Sequence, residues 1–218
     1  MIIPFLLQTK NMPQKSTQLL LLALLLTAFQ CGKDDGYLID DTSPTQNDFK
    51  INLNLPSDFS VGDTLWIVGD AVAKVLAPKT NDSIISPYAH EDYFLLMQFI
   101  PPKERVNSIE GIQHFEVIPT TGTVSFLPRC ENAQMNAHAI LTADSLHYRY
   151  QIGLKALKKG DYVLSWLHSE VLNKDINKFI FQKYSIPDFP DELGFSQCEQ
   201  FSWRPIQASN SEFYFRVH

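Results

Sequence analysis

Phe49-Lys50-Ile51-Asn52-Leu53-Asn54-Leu55 alternates apolar and polar side chains without a break. That period of two belongs to a β-strand, whose successive side chains point to opposite faces. One face of the segment is therefore buried and the other is wet, and Pro56 ends it. The pattern returns at Leu146-His147-Tyr148-Arg149-Tyr150-Gln151-Ile152-Gly153-Leu154, which places Leu146, Tyr148, Tyr150, Ile152 and Leu154 on one face.

Thr64-Leu65-Trp66-Ile67-Val68, after the turn Val61-Gly62-Asp63, reads as a strand buried on both sides, and Val163-Leu164-Ser165-Trp166-Leu167 reads as a strand entered through the turn Leu157 to Tyr162. Tyr93 to Ile100 is apolar apart from Gln98 and allows a helix, but it stops at Pro101-Pro102, which favours a core strand. His114–Ile118 and Thr123–Leu127 flank Pro119-Thr120-Thr121-Gly122, as in a hairpin. Glu212 to Val217 is the last strand. Stretches 78–92, 128–145 and 172–205 carry prolines and turn formers and read as long loops, the second with room for a short helix. About seven strands and no long helix predict an all-β fold, an antiparallel β-sandwich over residues 49–218. Leu157 to Tyr162 resembles the turn into strand F of immunoglobulin-like domains, where a tyrosine packs a corner, and Gly62-Asp63-Thr64 resembles the start of strand B. An immunoglobulin-like sandwich is what that resemblance implies.

The N-terminal part has another character. Lys10 and Lys15 precede Leu19 to Phe29, an eleven-residue apolar run. A bilayer-spanning helix needs about 20 such residues, so the run fits the core of an export signal covering residues 1–30. Met12 begins a more conventional signal than Met1. Cys31 follows the run, and Cys31-Gly32-Lys33-Asp34-Asp35 resembles the lipidated cysteine and the lysine-plus-acids export signal of Bacteroidota-type surface lipoproteins. Ala28-Phe29-Gln30 departs from the usual Leu-small-small triplet before the cysteine. The resemblance implies lipidation at Cys31 and an outer membrane location. It also implies display at the cell surface, signalled by Lys33, Asp34 and Asp35. Residues 31–48 then form the lipidated cysteine and a flexible tether.

Beyond residue 30 the chain carries 16 basic and 24 acidic side chains, a formal charge of −8 with no basic cluster. Nucleic acid is not an expected partner. Cys130 and Cys198 are either joined in a disulfide or reduced as small buried hydrophobes. An oxidising compartment favours the bond, which would close a loop of about 68 residues and add roughly 4 kcal/mol.

No metal-ligand spacing, nucleophile elbow or phosphate-binding glycine loop occurs, so no catalytic residue, metal or cofactor is assigned. The six histidines are scattered, and His90-Glu91-Asp92 is the densest ligand-like cluster. Trp66 and Trp166 belong in the core. Trp203, with Tyr88, Tyr184 and Phe189, either forms an exposed aromatic platform for sugar or protein or covers the sandwich end. The expected function is a non-catalytic binding or adhesion module held on the membrane by its lipid, with a glycan or protein ligand. The alternatives are an accessory subunit of an outer-membrane assembly, which a large exposed apolar patch would favour, and a hydrolase with scattered site residues.

Overall fold

The computed structural model describes residues 47–77, 79–86, 91–128, 131–172, 178–197, 200–206 and 210–218. The strands, in chain order, are β1 (Lys50–Asn54), β2 (Thr64–Val72), β3 (Lys74–Leu76), β4 (Ser83–Ile85), β5 (Glu91–Lys103), β6 (Val106–Glu110), β7 (Phe115–Thr121), β8 (Thr123–Phe126), β9 (Gln134–His138), β10 (Ile140–Leu141), β11 (His147–Ala156), β12 (Gly160–Trp166), β13 (Glu170–Val171), β14 (Glu192–Gln197), β15 (Gln200–Pro205) and β16 (Glu212–Val217). The helix α1 is short, Lys178–Lys183.

The fold is an all-β sandwich. Sheet I runs β10-β11-β2-β1-β13, with β7 also on β11; sheet II runs β15-β14-β6-β5-β12-β16, with β9 on β5 and β8 on β9. Most pairs are antiparallel, but β1–β13 and β6–β14 are parallel. Strands β3 and β4 form a separate arm.

The main core lies between the sheets. Ile51 and Leu53 from β1, Leu65 and Ile67 from β2, and Tyr150, Ile152 and Leu154 from β11 meet Phe94 and Leu96 from β5, Leu164 and Trp166 from β12, and Phe215 from β16. The alternation read in β1 and β11 is realised, with Lys50, Asn52, Asn54 and Arg149 exposed. A buried side chain of this size contributes about 1.5–3 kcal/mol. Tyr150 sits directly opposite Gly69 of β2, where a Cβ would lie 2.1 Å from its ring. Only glycine lets the phenol lie flat there.

Sheet II has a second core on its outer face. Met97, Phe99, Val163 and Tyr214 project away from the main core and meet Ile180 of α1, Tyr184, and Leu193 and Phe195 of β14. The rings of Phe99 and Tyr184 stack with centroids 5.2 Å apart. Strands β5, β12 and β16 are thus covered on both faces, which is why their sequences read as continuous apolar runs.

Several details depart from the sequence expectations. Among the described residues there are sixteen strands rather than about seven, and four of them, β3, β4, β10 and β13, are too short to show a period. The segments β7 and β8 do not form a hairpin: β7 pairs with β11 in sheet I and β8 with β9 in sheet II, the chain changing sheets at Gly122. Strands β9 and β10 fall inside 128–145, where Met135 and Ala137 alternate inward among small and polar neighbours. Trp66 lies half-buried on the outer face of sheet I against Gly153, not in the core, whereas Trp166 is buried against Phe94. Tyr162 does make the corner contact, its hydroxyl donating to the Lys158 carbonyl at 3.0 Å.

A buried carboxyl clamps the two sheets. Asp92, on the inner face of β5, accepts hydrogen bonds from the Tyr150 hydroxyl and the Ser169 hydroxyl, both at 2.6 Å. Burial pushes its pKa up to about 6, against the opposing effect of hydrogen bonds from Ser169, Tyr150 and the Tyr93 backbone. The folded state therefore holds this proton more tightly than the unfolded chain, whose carboxyl titrates near 3.8. Its contribution to stability is full below that value and is lost as pH rises through about 6. The stability of wild type minus that of Asp92→Asn, from denaturant titrations, should fall by up to ~3 kcal/mol across this window. A difference that stays constant with pH contradicts the assignment.

Candidate functional site

The exposed aromatics of sheet II gather at its β14–β15 edge. The two-residue turn between β5 and β6 puts Glu104 in the left-handed region at φ 55° and Arg105 at the tip. The Arg105 guanidinium donates from Nε and Nη2 to the two oxygens of Glu192, at 2.8 and 2.7 Å. This fork fixes the plane of the group. Its Cζ lies 4.0 Å from the ring centre of Phe189 and 5.0 Å from that of Trp203. The Trp203 indole N–H donates to the Arg105 carbonyl at 2.8 Å.

The backbone was shaped for this contact. Gly194 pairs with Trp203 across the hairpin, and a Cβ there would lie 1.8 Å from the Arg105 carbonyl oxygen. Strand alternation places Phe201 and Trp203 on the same face of the edge strand β15. Phe189, Trp203 and Phe201 remain 40%, 45% and 62% exposed. Beside them Pro102, Arg105, Ile186, Pro187, Asp188 and Phe189 line an open cleft of about 710 Å³. The arrangement is a rigid aromatic surface around a guanidinium whose charge Glu192 offsets. It suits stacking and hydrogen bonding to a neutral polar ligand.

Of the four aromatics expected at a platform, Trp203 and Phe189 are brought together. Tyr184 is buried in the second core, its hydroxyl donating to Asp161 at 2.7 Å. Tyr88 lies outside the described residues. The sequence reading missed Arg105, Glu192 and Phe201. Only Phe201 carried a signal, its spacing of two from Trp203 on a strand.

A smaller cavity of about 200 Å³ lies between the β14–β15 hairpin and strands β5, β9 and β12, lined by Tyr93, Leu95, Gln134, Ser165, Phe195 and Arg204 among others. Its charge is committed to structure. Arg204 pairs with the fully buried Glu212 at 2.5 Å and donates to Ser165 at 2.9 Å. Glu212 also accepts from Tyr214 at 2.5 Å. Burial, then the Glu212 charge, raises the Tyr214 phenol well above its ordinary range.

The remaining carboxylates and histidines are placed as follows. Asp161 is bound by Arg216 at 2.6 Å and Lys183 at 3.1 Å. Burial raises its carboxyl, but the hydrogen bonds from Arg216, Tyr184 and Lys183 outweigh this and hold it below the usual range. Glu170 pairs with Lys50. In the His90-Glu91-Asp92 cluster, His90 lies outside the described residues, and Glu91 and Asp92 diverge. Glu91 faces His138 and Tyr93, and Asp92 turns into the core. Among the described residues no three His, Cys, Asp or Glu side chains gather as a metal site. Cys31, Lys33, Asp34 and Asp35 lie outside the described residues, as do Cys130 and Cys198. The Cys130–Cys198 bond therefore stands as a proposal, which a denaturing thiol titration decides.

Replacing Arg105 by Ala removes the layer between Phe189 and Trp203 and strips Glu192 of its partner. Iodide quenching of tryptophan fluorescence should rise in the variant, with a loss of about 1–2 kcal/mol in stability. Unchanged quenching contradicts the stacked arrangement.

Comparison with protein-family models, with curated proteins and with solved structures finds no match to this chain.

Proposed function

We propose that this chain is a non-catalytic binding module that holds a neutral glycan on the Phe189–Arg105–Trp203–Phe201 platform. It is anchored at the cell surface of an outer membrane by lipid on Cys31. The observation that carries the binding reading is the Arg105 guanidinium held between two exposed aromatic rings and locked to Glu192. Ordered rings lose little entropy on binding, and their faces suit the C–H surfaces of a sugar. The neighbouring Asp188 and Glu104 supply acceptors for hydroxyl groups. A charged ligand is less well served, because Arg105 and Glu192 offset each other.

The hydrolase alternative has weaker support, since Asp161, Glu170 and Glu192 are each held by a cation. The anchor rests on Cys31-Gly32-Lys33-Asp34-Asp35 and its resemblance to surface lipoproteins.

A glycan array probed with residues 31–218 should show a restricted set of neutral oligosaccharides. Trp203→Ala should weaken binding to them by about tenfold or more, equivalent to about 1.4 kcal/mol. Binding that Trp203→Ala leaves intact, or no binding to any glycan, overturns the proposal.

A further inference from the structure

Three adjacent strands of sheet II carry a group of polar side chains that the aromatic platform does not use. Glu91 of β5 lies opposite His138 of β9, and His138 lies opposite Thr123 of β8. One step along, Tyr93 lies opposite Asn136, and Asn136 lies opposite Ser125. Direct cross-strand partners share a face, and so do residues two apart on one strand. All six therefore project from one face, the one opposite to the core-facing Phe94, Met135 and Ala137. The Ser125 Oγ lies 2.8 Å from His138 Nε2. On the other side of the ring, Glu91 Oε1 lies 3.2 Å from Nδ1. The Tyr93 hydroxyl donates to Oε2 of the same carboxylate.

The two ring nitrogens are thereby given different tasks. A carboxylate beside Nδ1 favours the proton there, so Nε2 keeps its lone pair and accepts from the Ser125 hydroxyl. That is the order in which a general base activates a serine. The backbone allows the approach at Gly122, which precedes β8 at φ 76° and where a Cβ would lie 2.3 Å from the His138 carbonyl oxygen. The His138 and Glu91 side chains are 32% and 34% exposed, so a reactant reaches them from solvent. Asn136, across from Ser125, has a buried Oδ1 with no hydrogen-bond partner among the described residues. Such atoms are few in native proteins, and a bound molecule would satisfy this one.

The cavity of about 200 Å³ continues from this group. Tyr93 and Gln134 line it, and Gln134 is two residues, about 7 Å, from Asn136 along β9. Leu95, Leu167 and Phe195 give it apolar walls. It is smaller than the ~300–1,000 Å³ pockets that take drug-sized ligands, and it suits a short acyl chain.

We propose that Ser125, His138 and Glu91 form a hydrolytic triad for small carboxylic esters, with the cavity beside Tyr93 taking the acyl group. Ser125 Oγ attacks the ester carbonyl while its proton passes to His138 Nε2, and that proton leaves on the departing alcohol. Water then gives a proton to His138 and its oxygen to the acyl carbon, the bond to Ser125 breaks, and the proton returns to Oγ. Ester and water become acid and alcohol, with no further reactant. Glu91 is a positioning residue, and Tyr93 holds its second oxygen. Asn136 Nδ2 is the side-chain donor offered to the carbonyl oxygen as that oxygen gains charge. The inference goes beyond the binding reading and confines its non-catalytic character to the platform. The cations on Asp161, Glu170 and Glu192 weaken an acid–base pair of carboxylates and leave a serine mechanism untouched.

The purified full chain is treated with a biotinylated fluorophosphonate, and the labelled peptide is identified by mass spectrometry. Label should fall on Ser125, and heat-denatured chain should take none. Ser125→Ala and His138→Gln should each lower labelling and p-nitrophenyl acetate hydrolysis by about a hundredfold or more, with thermal midpoints unchanged. Glu91→Gln should lower kcat by about tenfold or more while KM stays, a split that a purely structural role would not give. Trp203→Ala should leave labelling intact, so this proposal and the platform fail separately. Absence of label on Ser125, label that survives denaturation or His138→Gln, or hydrolysis that Ser125→Ala leaves at the wild-type rate overturns the triad. An unchanged kcat in Glu91→Gln overturns it as well.

Discussion

The constraint on which the structure depends is that β5, β12 and β16 bury side chains on both faces. A sandwich sheet ordinarily packs one face and wets the other. Here Phe94, Leu96, Leu164, Trp166, Phe213 and Phe215 go to the main core, and Met97, Phe99, Val163 and Tyr214 go to the opposite side. Those outer residues would otherwise be an exposed aromatic sheet. Covering them requires Ile180 of the short helix α1 and Leu193 and Phe195 of β14, and the β14–β15 hairpin also carries Glu192, Phe201 and Trp203 of the candidate site.

Polar groups fix where each layer sits. Asp92 joins β5 to Tyr150 of sheet I and to Ser169. Glu212, fully buried, draws Arg204 of the hairpin down onto sheet II, and Asp161 gathers Arg216, Lys183 and Tyr184 beside α1. Glu212 and Asp161 are buried carboxylates with cationic partners in place, whereas Asp92 is held by neutral hydroxyls. Removing the cation from such an ion pair costs about 3–5 kcal/mol, because the buried carboxylate is left unpaired. The hairpin is therefore seated firmly enough for its outward face to serve as a rigid platform, with Phe201 and Trp203 pointing out while Arg204, the next residue along the strand, points in.

The sequence disclosed this unevenly. Strands β1 and β11 were legible because one face of each meets water, so the period of two is written in residue types at Lys50, Asn52, Arg149 and Gln151. Strands β5, β12 and β16 were legible as core strands but concealed their second face, since a run with both faces buried shows no period. The covering layer was not visible. Helix α1 has six residues, and Phe179-Ile180-Phe181 does not reveal that Ile180 is buried while Phe179 is largely exposed. At the site, Trp203 and Phe189 stood out as loop aromatics. Their contacts with Arg105 depend on a turn more than eighty residues earlier in the chain, and no local pattern records them.

Native-state amide exchange of residues 31–218 tests the double-faced sheet most directly. If β5 and β12 are the buried middle of the sheet, their amides should be the slowest in the chain. They should exchange only by global unfolding, with α1 and the β14–β15 hairpin opening earlier as a separate unit. If the amides of β5 and β12 instead exchange as readily as those of the edge strands β10 and β15, the central sheet is not covered on both sides and the account fails.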